Sequence, residues 1–236
     1  MSDLLRPELT ELPSKMRRLM IDNRGYPVPW FVTWIDEHDN KLPDGEGKPE
    51  FVRVAPEKTI EATRYRKCWV CGGQLGSNVA FTIGPMCVVN RISAEPPQHA
   101  ECSRWSAINC PFLSRPYMKR QVLGDKPTGE GPGIMIERNP GVIVVWITRA
   151  RATGYHVHNH LPLFHVGDEP SAVEWYAQGR EATREEAQRG MDTGLPLLME
   201  MAEKDGPDAV AELEKMMVAA ERFLPESRLE SAYAGR

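Results

Sequence analysis

Residues 68–110 read CWVCGGQLGSNVAFTIGPMCVVNRISAEPPQHAECSRWSAINC, and all five cysteines of the 236-residue chain fall inside this stretch: Cys68, Cys71, Cys87, Cys102 and Cys110. Cys68 and Cys71 form a C-x-x-C followed by Gly72 and Gly73, a tight turn in which two thiolates converge on one metal ion. A short β-like run follows from Val79 to Ile83, then a stop at Pro96 and Pro97, then a helix-like segment opening with His99-Ala-Glu-Cys102. Residues at i and i+3 share one helical face. A knuckle, a strand and a helix whose first turn supplies His and Cys together predict a closed, tetrahedral, treble-clef-like Cys3His zinc site through Cys68, Cys71, His99 and Cys102.

Two other readings of the same residues stay open. Four of the five cysteines can hold an iron–sulfur cluster, and Cys110 is followed by Pro111, as the last cluster cysteine often is. Unpaired cysteines also serve as small buried apolar residues. Cys102 and Cys110 lie roughly 12 Å apart on an unbroken helix, too far to share one zinc readily. An odd number of cysteines clustered in one segment fits a reducing compartment and metal binding better than a disulfide framework.

The charge distribution points outward from this segment. From residue 64 to residue 120 the basic residues are Arg64, Arg66, Lys67, Arg91, Arg104, Arg115, Lys119 and Arg120, against only Glu95 and Glu101. That stretch is therefore net plus six within a chain of net charge −4. A basic module on an acidic body suits an anionic partner. Trp69, Trp105, Phe112 and Tyr117 are interleaved with the charges, and base stacking with phosphate contact uses that mixture. DNA or RNA is the expected partner, with Arg104, Arg115, Lys119 and Arg120 on phosphates. The bland alternative is that the aromatics are core and the arginines a solvated face.

Before the metal segment, residues 1–24 alternate Leu and Met with charges, interrupted by Pro7 and Pro13, and suggest one short helix from Ser14 with Met16, Leu19 and Met20 on one side. Tyr26-Pro-Val-Pro-Trp-Phe-Val-Thr-Trp-Ile35 reads as a strand beyond Pro29, with Trp30 and Trp34 on one face as core. Residues 36–49 read as a loop, and Phe51-Val-Arg-Val54 as a second strand pairing with the first. Residues 123–133, rich in Gly and Pro, read as a connector and the best boundary candidate. They lack the strand and helix context of a phosphate-binding loop. The expected organisation is a β-rich half over 1–122, containing the metal module at about 64–120, then a strand pair and helical region over 134–225, and a tail over 226–236.

Ile134–Glu137 and Gly141–Thr148 read as strands, the second an apolar run and so doubly buried. Next come His156, His158 and His160, which an extended strand points to one side, with His165 close behind. Neutral imidazoles spaced by two can bind a catalytic metal, so a metal-dependent hydrolase or nuclease is an alternative. Surface histidines explain the same residues, and Val79–Ile83 lacks the Asp-His or His-His that nucleases of the HNH type usually carry beside the knuckle. In the C-terminal third, Ser171–Glu174 and Thr183–Glu186 match the capping box, with Gly179 and Gly190 as helix stops. A further helix is expected from Gly194, and a last one from Pro207 with an apolar stripe of Val210, Leu213, Met216, Met217, Ala220 and Phe223. That stripe is a core face, or a surface for a protein partner.

The segments CWVCG at 68–72, GPMC through EPP-x-H-x-x-C at 84–102, CPFL at 110–113 and V-x-WY-x-x-GR-x-ATR-x-E at 173–186 resemble uncharacterised proteins encoded by bacteriophages and prophages. The resemblance implies an intracellular protein of phage type and carries no activity. No apolar run is long enough for a membrane span, and the N-terminal residues lack the apolar region of a signal peptide. A cytoplasmic location is expected, and the fold class is α+β. The functional expectation is a non-catalytic binding protein recognising nucleic acid or a nucleic-acid-processing complex. A protein–protein inhibitor of a host factor is a further alternative.

Overall fold

The computed structural model describes residues 5–115, 140–158 and 161–226. Lys119, Arg120, Tyr117, the connector 123–133, the expected strand 134–137, His160 and the tail beyond 226 lie outside them. The described residues form a mixed α+β fold, with three small antiparallel sheets among them and helices on both faces of the largest.

In chain order the elements are β1 (Val32–Ile35), β2 (Lys41–Leu42), β3 (Lys48–Val54), α1 (Pro56–Tyr65), β4 (Asn78–Ile83), α2 (Pro85–Asn90), β5 (Ile92–Ser93), α3 (Ala100–Asn109), α4 (Pro111–Ser114), β6 (Ile143–Arg149), β7 (Gly154–His158), β8 (Leu161–His165), β9 (Ala172–Ala177), β10 (Arg180–Glu181), α5 (Arg184–Asp205) and α6 (Pro207–Ala220). The sheets run β2-β1-β3, β10-β9-β6-β4 and β5-β8-β7. Sequence reasoning passed over α1 and α2, each of which opens on a proline at its first turn, where the missing N–H costs nothing.

β6 is the centre of the largest sheet, pairing with β4 from Asn78↔Arg149 to Ile83↔Val144 and with β9 from Ile143↔Tyr176 to Ile147↔Ala172. Alternate residues feed two cores. Val79, Phe81, Ile83, Val144, Trp146 and Trp175 pack with α2, α5 and α6, while Ala80, Ile143, Val145, Ile147 and Tyr176 pack with Ala107 and Ile108 of α3. Both faces are covered, which is why β6 reads as a continuous apolar run. β4, from before the expected boundary at 123–133, thus pairs with β6 from after it.

Four expectations for the chain are corrected. The segment from Ser14 is a single 3-10 turn, Ser14–Met16, in which Met16 is buried while Met20 is 46% exposed. Within 36–49, β2 and the start of β3 are strand. Ser171–Glu174 is not a helix start: it runs into β9, whose side chains alternate between the two cores, and Gln178 and Gly179, both at positive φ, make the two-residue turn to β10. Gly190 ends no helix and Gly194 begins none, because α5 is continuous through both and through Pro196. A Cβ on Gly190 would lie 2.2 Å from Val142, so this glycine serves close approach to the sheet. Thr183 does cap α5, with the Thr183 hydroxyl accepting from the Glu186 N–H and the Glu186 carboxylate accepting from the Thr183 N–H.

Candidate metal centre

The C-x-x-C turn is closed by two short backbone bonds, Gly72 N–H to the Cys68 carbonyl and Cys68 N–H to the Gly73 carbonyl, both 2.7 Å. Gly72 has φ +65, and a Cβ there would lie 2.6 Å from the Trp30 ring, so both backbone and space require glycine. His99 arrives from the other side. Ala80 of β4 and Gln98 exchange both backbone hydrogen bonds, at 2.8 and 2.7 Å, and the Trp69 N–H donates to the Pro97 carbonyl. The residue after Gln98 is thereby set against the knuckle, and α3 begins there with His99 as its N-cap. Cys102 follows one turn on.

Cys68, Cys71, His99 and Cys102 are all buried, and their ligand atoms all lie within 4.8 Å of one another. His99 Nδ1 is 3.4 Å from Cys71 Sγ and 3.8 Å from Cys102 Sγ. Zinc–sulfur bonds of about 2.3 Å and zinc–nitrogen bonds of about 2.0–2.1 Å set tetrahedral edges of roughly 3.5–3.8 Å. On its far side, His99 Nε2 is 2.9 Å from the Gln74 carbonyl. A carbonyl only accepts, so Nε2 carries the proton and Nδ1 offers its lone pair to the group's centre, the arrangement that orients a metal-binding imidazole.

The electrostatics favour a cation there. Hydrogen bonds with Cys102 and Cys68 hold the Cys71 thiol far below the ordinary thiol range, while the same crowding, with Cys68 and Cys71, pushes Cys102 far above it. Contacts with Cys68 and Cys71 push His99 up to about 10, so without a metal ion its Nδ1 holds a proton among the sulfurs, and a bound cation would take that proton's place. Three sulfurs this close cannot all ionise without a positive charge between them, and a dication removes that conflict. The four residues fit a metal ion.

Sequence reasoning missed the surroundings. Arg18 donates to the Cys71 carbonyl from Nε and Nη2, at 3.1 and 2.6 Å, and its Nη2 lies 3.9 Å from Cys71 Sγ. Met16 and Leu19 enter the same core as Cys68 and Cys71, and Trp105 Nε1 donates to the Thr10 carbonyl. Residues 10–19 are therefore a strap over the centre. No local pattern could have shown this, because the contacts span more than fifty residues. Trp34 is buried and Trp30 sits edge-on to Trp69 at 6.5 Å, both on a cleft of about 300 Å³ beside Cys71 and Gly72.

The other candidates are dispersed. Cys87 and Cys110 stand outside the group among the described residues, their thiols pushed up by burial. Arg104 forms a two-pronged ion pair with Glu174 of β9 (2.6–3.1 Å), and Lys67 pairs with Glu61. Arg91 is buried between the Trp146 and Phe223 rings at 4.6 and 4.8 Å. His156 and His158 lie exposed on β7, and His165 is 3.5 Å from Asp168. The α6 stripe is taken up largely by the core, with Leu213 and Ala220 buried. No helix among the described residues is long and apolar enough to cross a membrane.

No protein-family model matches the chain, and neither a curated protein nor a solved structure matches it. The functional reading therefore rests on the site itself.

Proposed function

We propose that the chain is a zinc-stapled binding protein, non-catalytic and directed at nucleic acid or a nucleic-acid-processing complex, in which the zinc serves the fold. The observation that carries this reading is the burial of all four ligand residues. A catalytic zinc keeps a coordination position open to water and substrate, whereas a closed set of four protein ligands is structural. The order of knuckle, strand and helix, with His and Cys in the first helical turn, suits a treble-clef-like module. Here the second strand of the usual hairpin is reduced to the single Ala80–Gln98 bridge.

Nucleic acid is favoured as partner by the excess of basic residues in the sequence stretch 64–120 on a chain of net charge −4. The metal-loaded chain should bind single-stranded DNA, duplex DNA or RNA at low ionic strength, with affinity falling steeply as salt rises. Fluorescence anisotropy with labelled oligonucleotides tests this. Absence of binding to all three at 25 mM salt (about that value, chosen because it exaggerates phosphate contacts) would overturn the nucleic-acid part while leaving the metal centre standing.

A further inference from the structure

Of the basic residues expected on phosphate, Arg104 is engaged by Glu174, while Lys119 and Arg120 lie outside the described residues. Six arginines, Arg6, Arg17, Arg24, Arg104, Arg180 and Arg222, pair with carboxylates. Arg64, Arg66, Arg149 and Arg151 are exposed and have no carboxylate partner among the described residues.

These four come from two distant segments that the sheet brings together. Arg66 Nη2 donates to the Gly76 carbonyl at 3.0 Å, and the Leu75 N–H donates to the Arg66 carbonyl, so the end of α1 is tied to the loop after the knuckle. From that loop, Asn78 pairs with Arg149 across β4 and β6, and the Ala150 N–H donates to the Ser77 carbonyl at 2.9 Å. Gly76, Ser77 and Asn78 are exposed between them. Tyr65 is 53% exposed, with the Arg64 guanidinium 5.4 Å from its ring centroid. Three acids of the flanking segments have partners of their own: Glu61 pairs with Lys67, Glu169 with Arg222, and Asp168 lies 3.5 Å from His165.

We propose that Arg64, Tyr65 and Arg66, the Gly76–Asn78 loop, and Arg149 and Arg151 form the face on which a single strand of nucleic acid lies, phosphates on the guanidinium groups and a base on Tyr65. The proposal rests on the nucleic-acid reading above and names its surface. Guanidinium groups match phosphate oxygens in pairs, and an exposed ring among cations is the stacking platform that single strands use. A duplex offers no free base face to Tyr65.

The test is anisotropy of the metal-loaded full chain with labelled oligo(dT) and oligo(rU) across a salt series. Each released phosphate contact contributes about 0.7 to the log–log salt slope for single strands. Replacing Arg64, Arg66, Arg149 and Arg151 together by Gln should flatten the slope by about 3 and weaken binding at low salt by about 100-fold or more. The pairs R64Q/R66Q and R149Q/R151Q should each remove about half of that slope, which keeps the test valid if the fourfold variant folds poorly. A control that removes four charges elsewhere, R17Q/K48Q/K204Q/K215Q, should change the slope little. Tyr65→Ser should weaken binding with the slope unchanged. If wild type binds and both pair variants bind as the control does, this face is wrong while the nucleic-acid reading stands. If wild type binds no nucleic acid, both fall. Tighter binding of duplex than of single strand overturns the assignment to a single strand.

Discussion

Gln98 and Ala80 exchange both of their backbone hydrogen bonds, so the residue next in line, His99, is positioned by the edge of the largest sheet. The Gln98 side chain, 2% exposed, secures the same junction by accepting from the Thr82 and Ser103 hydroxyls at 3.2 and 3.0 Å. Gln98→Leu leaves the buried Ser103 hydroxyl and the half-buried Thr82 hydroxyl without that acceptor. It should cost about 1–3 kcal/mol in urea unfolding of the metal-loaded chain, and weaken metal retention in a chelator competition. Unchanged retention would show that His99 is held by something else.

Cys102→Ser removes one sulfur from a closed set of four. Structural zinc sites in small peptides gain roughly 10–16 kcal/mol of apparent binding free energy at neutral pH, so loss of one ligand should release the metal and lower the melting temperature sharply. Cys87→Ser and Cys110→Ser, outside the group, should keep full metal content. Elemental analysis of the three variants checks this, and equal metal loss in all of them would point to a different ligand set.

Arg104 and Glu174 lock α3 to β9. The Arg104 hydrogen bonds hold the Glu174 carboxyl below its ordinary range. Arg104→Ala should therefore cost stability, on the order of 1 kcal/mol and less at high salt, and leave the salt slope of nucleic-acid binding nearly unchanged. A slope loss as large as that of R149Q/R151Q would return Arg104 to the binding surface.

The capping box of α5 gives a pH signature. Arg180 first, and the Thr183 N–H second, bring the Glu186 carboxyl down to about 2 from its ordinary 4.5. Its contribution is fully present above 4.5 and is lost as pH falls through about 2. The stability difference between wild type and Glu186→Gln should thus shrink across that window, as followed by denaturant unfolding at stepped pH. Thr183→Ala should cost about 1 kcal/mol at neutral pH.

The sequence exposed its chemistry better than its architecture. Cys68, Cys71, His99 and Cys102 could be picked out because few residue types bind metal and their spacing is local within each pair. Arg18 could not, since its bond to Cys71 depends on a strap with no periodicity. Gly190, Gly194 and Pro196 look like helix breakers, yet α5 runs through all three because contact with Val142 and Met86 outweighs weak intrinsic propensity. Ser171–Glu174 satisfied a four-residue motif while the longer alternation of Val173, Trp175 and Ala177 belonged to a sheet. No local pattern marks Arg149, because its place beside the Gly76–Asn78 loop exists only once β4 and β6 pair.

X-ray absorption at the zinc edge, with elemental analysis of the purified full chain, tests the central assignment most directly. The expected result is one zinc per chain, with three sulfurs at about 2.3 Å and one nitrogen at about 2.0–2.1 Å. Iron with inorganic sulfide, or a fully folded chain free of metal, would contradict it.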